Sequence, residues 1–329
     1  MNGDPLLKVE GLKKWFPLRR SLTDLLLRRR QLYLKAVDGI SFELRRGEIF
    51  CLAGESGCGK TTTGRLVLRL IEPTAGKILF EGVDLVSLEG KELKKFRRKA
   101  QMIFQDPYES LNPRMTVLDI VSEPLVIHGL IHGKDEKVDR VSRVLEDVAL
   151  KPAEEFIYRR PHELSGGQRQ RVAVARAIVL EPSFIVADEP VSMLDMSIRA
   201  EILDLMLGIR EKYGIAYLFI THDLAVAKHI CDRIAIMYLG KIVESGEASE
   251  VIDNPLHPYT KALVAAIPVP DPRVKIGEIP IKGEVPSPVN LPPGCRFHPR
   301  CPYAMGVCRS SEPVLKEVEP GHKVACHLY

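Results

Sequence analysis

The sequence predicts an α/β fold with a parallel central sheet, on the strength of three observations. Residues 49–53 and 216–220 are continuous apolar runs, and 183–187 is nearly so, the pattern of strands buried on both faces. Helical patterns lie between them, over residues 60–70, 172–180 and 198–213, the last stopped by Gly214. The run 49–53 leads straight into a glycine-rich loop and then a helix, and strands alternating with helices imply a parallel sheet covered by helices.

Taken in order, residues 6–16 and 36–53 read as short strands, with a turn at Arg46-Gly47-Glu48. The glycine loop is Gly54-Glu55-Ser56-Gly57-Cys58-Gly59-Lys60-Thr61, which fits the phosphate-binding pattern G-x-x-x-x-G-K-[ST], and Thr62 extends it. From Gln105 to Leu164 strand signals fade and two helical patterns stand out, roughly 116–130 and 135–149, suggesting a helical subdomain over about 106–165. Helix 172–180 is closed by Glu181-Pro182, and the strand after it ends in Asp188-Glu189. Beyond residue 250 prolines crowd in, from Pro255 to Pro293, which precludes long helices and fits a mostly irregular tail. The expected division is therefore a nucleotide-binding domain over 1–250 and a proline-rich, cysteine-containing domain over 251–329.

With 329 residues, 45% of them hydrophobic, the chain can bury a large core. Its 47 basic and 43 acidic residues nearly balance and give no argument for nucleic acid. No apolar run approaches the ~20 residues that cross a bilayer, and Met1-Asn2-Gly3-Asp4 does not open like a signal peptide. A cytosolic chain is expected, with any membrane-spanning part supplied by other chains. Seven cysteines in that compartment argue against a disulfide framework. Cys51, Cys58 and Cys231 fall in core elements and read as packing residues.

The chemistry follows from the charge on a nucleotide. Gly57 and Gly59 allow a tight turn whose N–H groups point at phosphate oxygens, and the helix beginning at Lys60 adds its positive end. Lys60 would reach the β- and γ-phosphates and Thr61 the Mg²⁺. Asp188 and Glu189 end a buried strand, where open α/β sheets bind ligands. Leu164-Ser165-Gly166-Gly167-Gln168 opens a helix, so its amides and the Ser165 hydroxyl form a further anion site.

Those three motifs, in that order, resemble the ATP-binding cassette of ABC transporters. The resemblance implies a P-loop cassette with a parallel core, an antiparallel β subdomain and the helical subdomain already noted. It implies that Asp188 supports Mg²⁺, that Glu189 polarises the attacking water, that Gln105 reaches the metal or water and couples the site to membrane partners, and that His222 contacts the γ-phosphate. Ser192-Met193-Leu194-Asp195 matches the loop that contacts a second cassette. Ser165, Gly166, Gly167 and Gln168 would close on ATP held by that second cassette, so the chain is expected to act as a dimer. Adenine is expected to stack on Phe16, with Trp15 the competitor.

Finer details, Asp106-Pro107-Tyr108-Glu109-Ser110-Leu111-Asn112-Pro113-Arg114, Asn254-Pro255-Leu256-His257-Pro258-Tyr259-Thr260 and Gly283-Glu284-Val285-Pro286-Ser287-Pro288, look like the oligopeptide/dipeptide importer subgroup. That implies two transmembrane permease subunits, a paralogous or identical second cassette, an extracytoplasmic binding protein and a place on the cytoplasmic face of the membrane. Nickel and some sugar importers share these features. A soluble ABC ATPase of translation or DNA repair is the competing class; only one cassette is present, and no long coiled coil separates the nucleotide motifs. Cys295, Cys301, Cys308 and Cys326 are spaced x5, x6 and x17, which is neither a zinc knuckle nor a ferredoxin pattern. The spacing matches the subgroup's carboxyl-terminal cysteines, where a [4Fe-4S] cluster is implied, zinc being the alternative. The basic segment from Arg19 to Lys35 reads as a solvated hairpin or as a contact for anionic lipid headgroups.

Overall fold

The computed structural model describes residues 4–20, 31–267 and 281–329. The chain divides into two units: Met1–Leu44, Phe50–Val86 and Ile220–Tyr329 form one, Arg45–Ile49 and Ser87–Phe219 the other.

The first unit holds the phosphate loop and the tail. An antiparallel sheet runs in the order Tyr33–Leu44, Leu7–Pro17, Ala75–Phe80, Val83–Asp84. Leu7, Val9 and Leu12 turn into its core, each at most 1% exposed. A second set of strands runs Lys316–Glu319, His322–Val324, Lys241–Glu247, Arg233–Tyr238, Ile49–Ala53. Its innermost pair is parallel, Phe50 opposite Arg233 and Ala53 opposite Ile236. The run Ile49–Ala53 is buried throughout, as its unbroken hydrophobicity predicts.

The tail is less irregular than its prolines suggest. Pro258–Ala265 is a helix with Pro258 in its first turn, where a missing N–H breaks no intrahelical bond. Near the carboxyl end, His322–Val324 adds an antiparallel strand to Lys241–Glu247, with Glu244 opposite Val324. Between residues 281 and 315 the chain is loop apart from one 3₁₀ turn, Gly306–Arg309. Phe297, 1% exposed, anchors that loop. Its ring lies 5.3 Å from Tyr238, 5.5 Å from Tyr259 and 5.6 Å from His257. An aromatic cluster of this kind buries a large apolar area and favours such tilted and edge-on ring geometries.

The second unit contains the parallel pair Ala100–Ile103 and Phe184–Asp188, Ala100 opposite Phe184 and Ile103 opposite Ala187. Ala216 donates to the Ser183 carbonyl at 3.0 Å and Tyr217 to the Glu48 carbonyl at 2.8 Å. The helical region contains Val117–Ile127 and Lys134–Asp147, where helices are expected. The first is capped by Thr116, whose Oγ1 accepts from Asp119 N–H, and Lys137 of the second reaches Asp119 at 2.7 Å. Helix Gly90–Lys99 and the strands Ala75–Phe80 and Val83–Asp84 were not singled out by the sequence pattern. The α/β class with a parallel core, antiparallel sheet and helical region is as expected. Among the described residues no helix is long and apolar enough to cross a membrane.

Candidate nucleotide site

The phosphate loop has the geometry its glycines promise. Gly54, Gly57 and Gly59 have φ of 148°, 80° and 110°. A Cβ on Gly54 would lie 2.2 Å from the Met237 carbonyl oxygen, and one on Gly59 2.1 Å from that of Ala36, so both positions exclude larger residues. Gly59 caps helix Lys60–Val67, leaving the helix's first N–H groups directed at the loop. Lys60 is 5% exposed, and its ammonium donates to the Gly54 carbonyl at 2.7 Å and the Glu55 carbonyl at 3.1 Å. Ser56 and Gly57 are exposed at the tip, Thr61 and Thr62 half-buried, and Cys58 buried beneath. Burial raises the Cys58 thiol pKa, against the opposing charge of Lys60, so it stays protonated.

Phe16 and Trp15 lie at the end of strand Leu7–Pro17. Phe16 is 37% exposed. Trp15 is half-buried, its indole N–H donating to Asp38 at 2.9 Å, with the Lys35 ammonium 4.5 Å from its ring centre. His222 is exposed, just before Asp223 caps helix Leu224–Ile230 by accepting from the N–H groups of Ala225 and Val226. Arg28, Arg29, Arg30 and Asp24 of the basic segment lie outside the described residues.

In the second unit, strand Phe184–Asp188 ends with Asp188, 3% exposed. Glu189 follows with φ of 45°, a left-handed conformation that a β-carbon disfavours. The turn is held by Ser192, whose Oγ donates to the Glu189 carbonyl at 3.0 Å. Such strain is kept where the surroundings over-determine it, and it aims the carboxylate off the strand end. Gln105 Nε2 donates to Glu189 Oε2 at 3.1 Å, so two expected site residues 84 positions apart are brought together.

Ser165 is the N-cap of helix Gly166–Ile178. Its hydroxyl accepts from Gln168 N–H at 3.3 Å, and Gln168 Oε1 accepts from Ser165 N–H at 3.0 Å, a reciprocal capping box. Ser165 is exposed while Leu164 and Gly167 are buried, so the cap faces outward on a buried base. A Cβ on Gly167 would meet Ile198 Cγ2 at 2.8 Å.

The tail cysteines form one connected set. Cys295 interacts electrostatically with Cys308 and Cys326, and Cys301 with the same two. Burial, then this mutual repulsion, pushes the Cys295 thiol up to about 11 and raises Cys301 and Cys326 as well. Cys295 N–H donates to the Cys308 carbonyl at 2.9 Å, tying the ends of the loop.

Sequence reasoning missed what this loop does for the phosphate loop. Arg300 forks onto the Glu55 carboxylate at 2.9 and 3.1 Å, and the Tyr259 hydroxyl accepts from Glu55 N–H at 2.8 Å. Arg296 pairs with Asp38 and donates to the Leu239 carbonyl. The only available signal was the placement of both arginines directly beside cysteines.

Comparison with known proteins agrees with this geometry. Residues 37–192 match a family model described as ABC transporter, and 243–308 one described as oligopeptide/dipeptide transporter, C-terminal region. Oligopeptide transport ATP-binding protein AppF of Bacillus subtilis (strain 168) is 48% identical, the match covering 100% of this chain and 98% of that protein. YkfD of the same organism, provisionally named an oligopeptide transport ATP-binding protein, is 51% identical over 99% of this chain and 96% of its own. Among solved structures, the dimeric post-hydrolysis state of the cassette MJ0796 with ADP and phosphate aligns with TM-score 0.62 and 28% identity, covering 74% of this chain and 98% of that one. CbiO1 from Clostridium perfringens, part of the ABC transporter complex cbiONQ, aligns with TM-score 0.64 and 28% identity, covering 77% and 92%.

Proposed function

Since the chain belongs to the ATP-binding proteins of ABC transporters, we propose that it is the ATP-hydrolysing subunit of a peptide importer. The observation that carries the catalytic part is the Gln105–Glu189 hydrogen bond at the end of a buried strand. Donation from the Gln105 amide fixes the Glu189 carboxylate, which would polarise the attacking water. Aligning that water and stabilising the charge on the transferring phosphoryl group lowers the barrier without covalent chemistry. Lys60, released from the two carbonyls it now caps, meets the β- and γ-phosphates, and His222 meets the γ-phosphate. The N–H groups of residues 54–62 hold the remaining oxygens, and Phe16 stacks on adenine, with Trp15 held aside by Asp38.

Mg²⁺ suits the donors available: the Thr61 hydroxyl, the Gln105 amide oxygen and, through water, Asp188 are all oxygen ligands. The ion would neutralise β- and γ-phosphate charge. The outward-facing cap at Ser165, Gly166, Gly167 and Gln168 supports closure on nucleotide held by a second cassette, a paralogue or a second copy. Two permease subunits would carry the path across the bilayer, with this chain on its cytoplasmic face and an extracytoplasmic binding protein delivering peptide.

The cysteine set would suit a metal centre: Cys308 is buried, Cys295, Cys301 and Cys326 are half-buried, and a cation would stabilise their thiolates. Among the described residues no three of these sulfurs lie within 4.8 Å of one another. By the subgroup's cysteine pattern the group would be a [4Fe-4S] cluster, with zinc as the alternative, and it would serve to order the tail.

Deleting the gene and following uptake of a labelled tripeptide tests the transport reading. Uptake should fail and return with the wild-type gene but not with Glu189→Gln. Unchanged peptide uptake together with lost nickel uptake would reassign the solute; no change in either would remove the importer role.

A further inference from the structure

Two arginines stand inside the cysteine loop, Arg296 directly after Cys295 and Arg300 directly before Cys301. They are 8% and 6% exposed, and both direct their charge away from the tail. Arg300 makes a bidentate pair with Glu55, the second residue of the phosphate loop. Arg296 pairs with one oxygen of Asp38, while the other accepts from the Trp15 indole.

A glutamate in a phosphate loop is an electrostatic problem. ATP brings several negative charges to the N–H groups on either side of Glu55, and an unpaired carboxylate there repels them across a short, partly desolvated distance. The fork of Arg300 cancels that charge and fixes the side chain in one direction, since a bidentate guanidinium–carboxylate pair specifies geometry as well as energy. The Tyr259 hydroxyl accepts from the Glu55 N–H at 2.8 Å. The chain segment that orders the cysteines therefore also sets the charge and shape of the phosphate loop.

We propose that Arg300 is a positioning residue of the nucleotide site, acting through Glu55, so that the tail's cysteine loop sets the affinity for ATP. This rests on the nucleotide-binding reading above. If wild-type protein does not bind ATP, that reading fails; if it does and the variants below do not differ from it, only the present inference fails.

The experiment is fluorescence titration of the purified full chain with labelled ATP, ADP and adenosine, alongside ATPase kinetics. Arg300→Ala should weaken ATP binding roughly tenfold, ADP less and adenosine hardly at all, because repulsion grows with ligand charge. KM should rise with little change in kcat. Adding Glu55→Gln to Arg300→Ala should restore ATP binding to within about threefold of wild type, because the offending charge is then gone. A role confined to holding the tail would not be rescued from the other end of the pair. Arg300→Lys keeps the charge and should lie between the two. If Arg300→Ala does not fold, Glu55→Gln alone decides: it leaves an unpaired guanidinium beside the loop, so ATP should bind as tightly as to wild type or more tightly. Equal losses for ATP and adenosine, or no rescue in the double variant, would overturn the proposal, as would weaker ATP binding by Glu55→Gln.

Discussion

Single residues carry most of the chemistry, and the clearest case is Glu189. It sits in a left-handed conformation with its carboxylate held by Gln105. Glu189→Gln keeps the shape and removes the charge proposed to polarise water. ATP should still bind while turnover falls about a hundredfold or more, the usual scale for losing a general base. Near-normal phosphate release by this variant would take Glu189 out of the catalytic role. His257 makes a different kind of prediction. It is 1% exposed among Phe297 and its neighbours, and burial lowers its pKa to about 3. The folded-state pKa thus lies below the unfolded value of about 6.5, so the unfolded chain takes up the proton first. The stability this group contributes is complete above about pH 6.5 and is lost as pH falls, by about 1.4 kcal/mol per unit toward pH 4. In His257→Asn, which can still cap Pro258–Ala265 by accepting from Tyr259 N–H, that part of the slope should vanish. Urea midpoints against pH check it; parallel slopes in both proteins would mean His257 does not titrate on unfolding.

Among the elements, the signature helix Gly166–Ile178 shows how far sequence reasoning reaches and where it stops. Its capping box was legible as a motif because Ser165 and Gln168 are three residues apart, and local spacing fixes a cap. The phosphate loop was legible for the same reason. Helices Val117–Ile127 and Lys134–Asp147 announced themselves by periodicity. Strand Ala75–Phe80 did not, because its first half is exposed and only Ile78 and Phe80 are buried, too short an alternation to register. Arg300–Glu55, 245 positions apart, has no local pattern at all. Ser165→Arg keeps an exposed position exposed, so the chain should fold and bind ATP alone. Hydrolysis should be abolished, because the bulky cation fills the cap proposed to meet the partner's nucleotide. Loss of ATP binding by the isolated monomer would show that the cap serves its own chain's site instead.

At the scale of the whole molecule, the question is what orders the tail. Its loops from 281 to 315 have almost no regular structure, so ordering them costs on the order of 1 kcal/mol or more per residue in backbone entropy. Two things can offset that cost. One is visible: Phe297 docked among Tyr238, Tyr259 and His257, with Arg296 and Arg300 paired on either side of it. The other is the proposed metal on Cys295, Cys301, Cys308 and Cys326, where binding the ion and closing the loop would be a single event. The two make different predictions for Cys301→Ser. This substitution would remove one proposed ligand and leave the aromatic and arginine contacts in place. If the cluster is [4Fe-4S], protein purified without oxygen should be brown, absorb near 400 nm and carry about four irons per chain. The variant should then lose the colour and the iron, and trypsin should cut within 281–315 well before it cuts the cassette. If docking alone orders the loop, the variant should resist protease as the wild type does. Colourless anaerobic wild type with one zinc per chain would replace the cluster by zinc and leave the ordering argument intact.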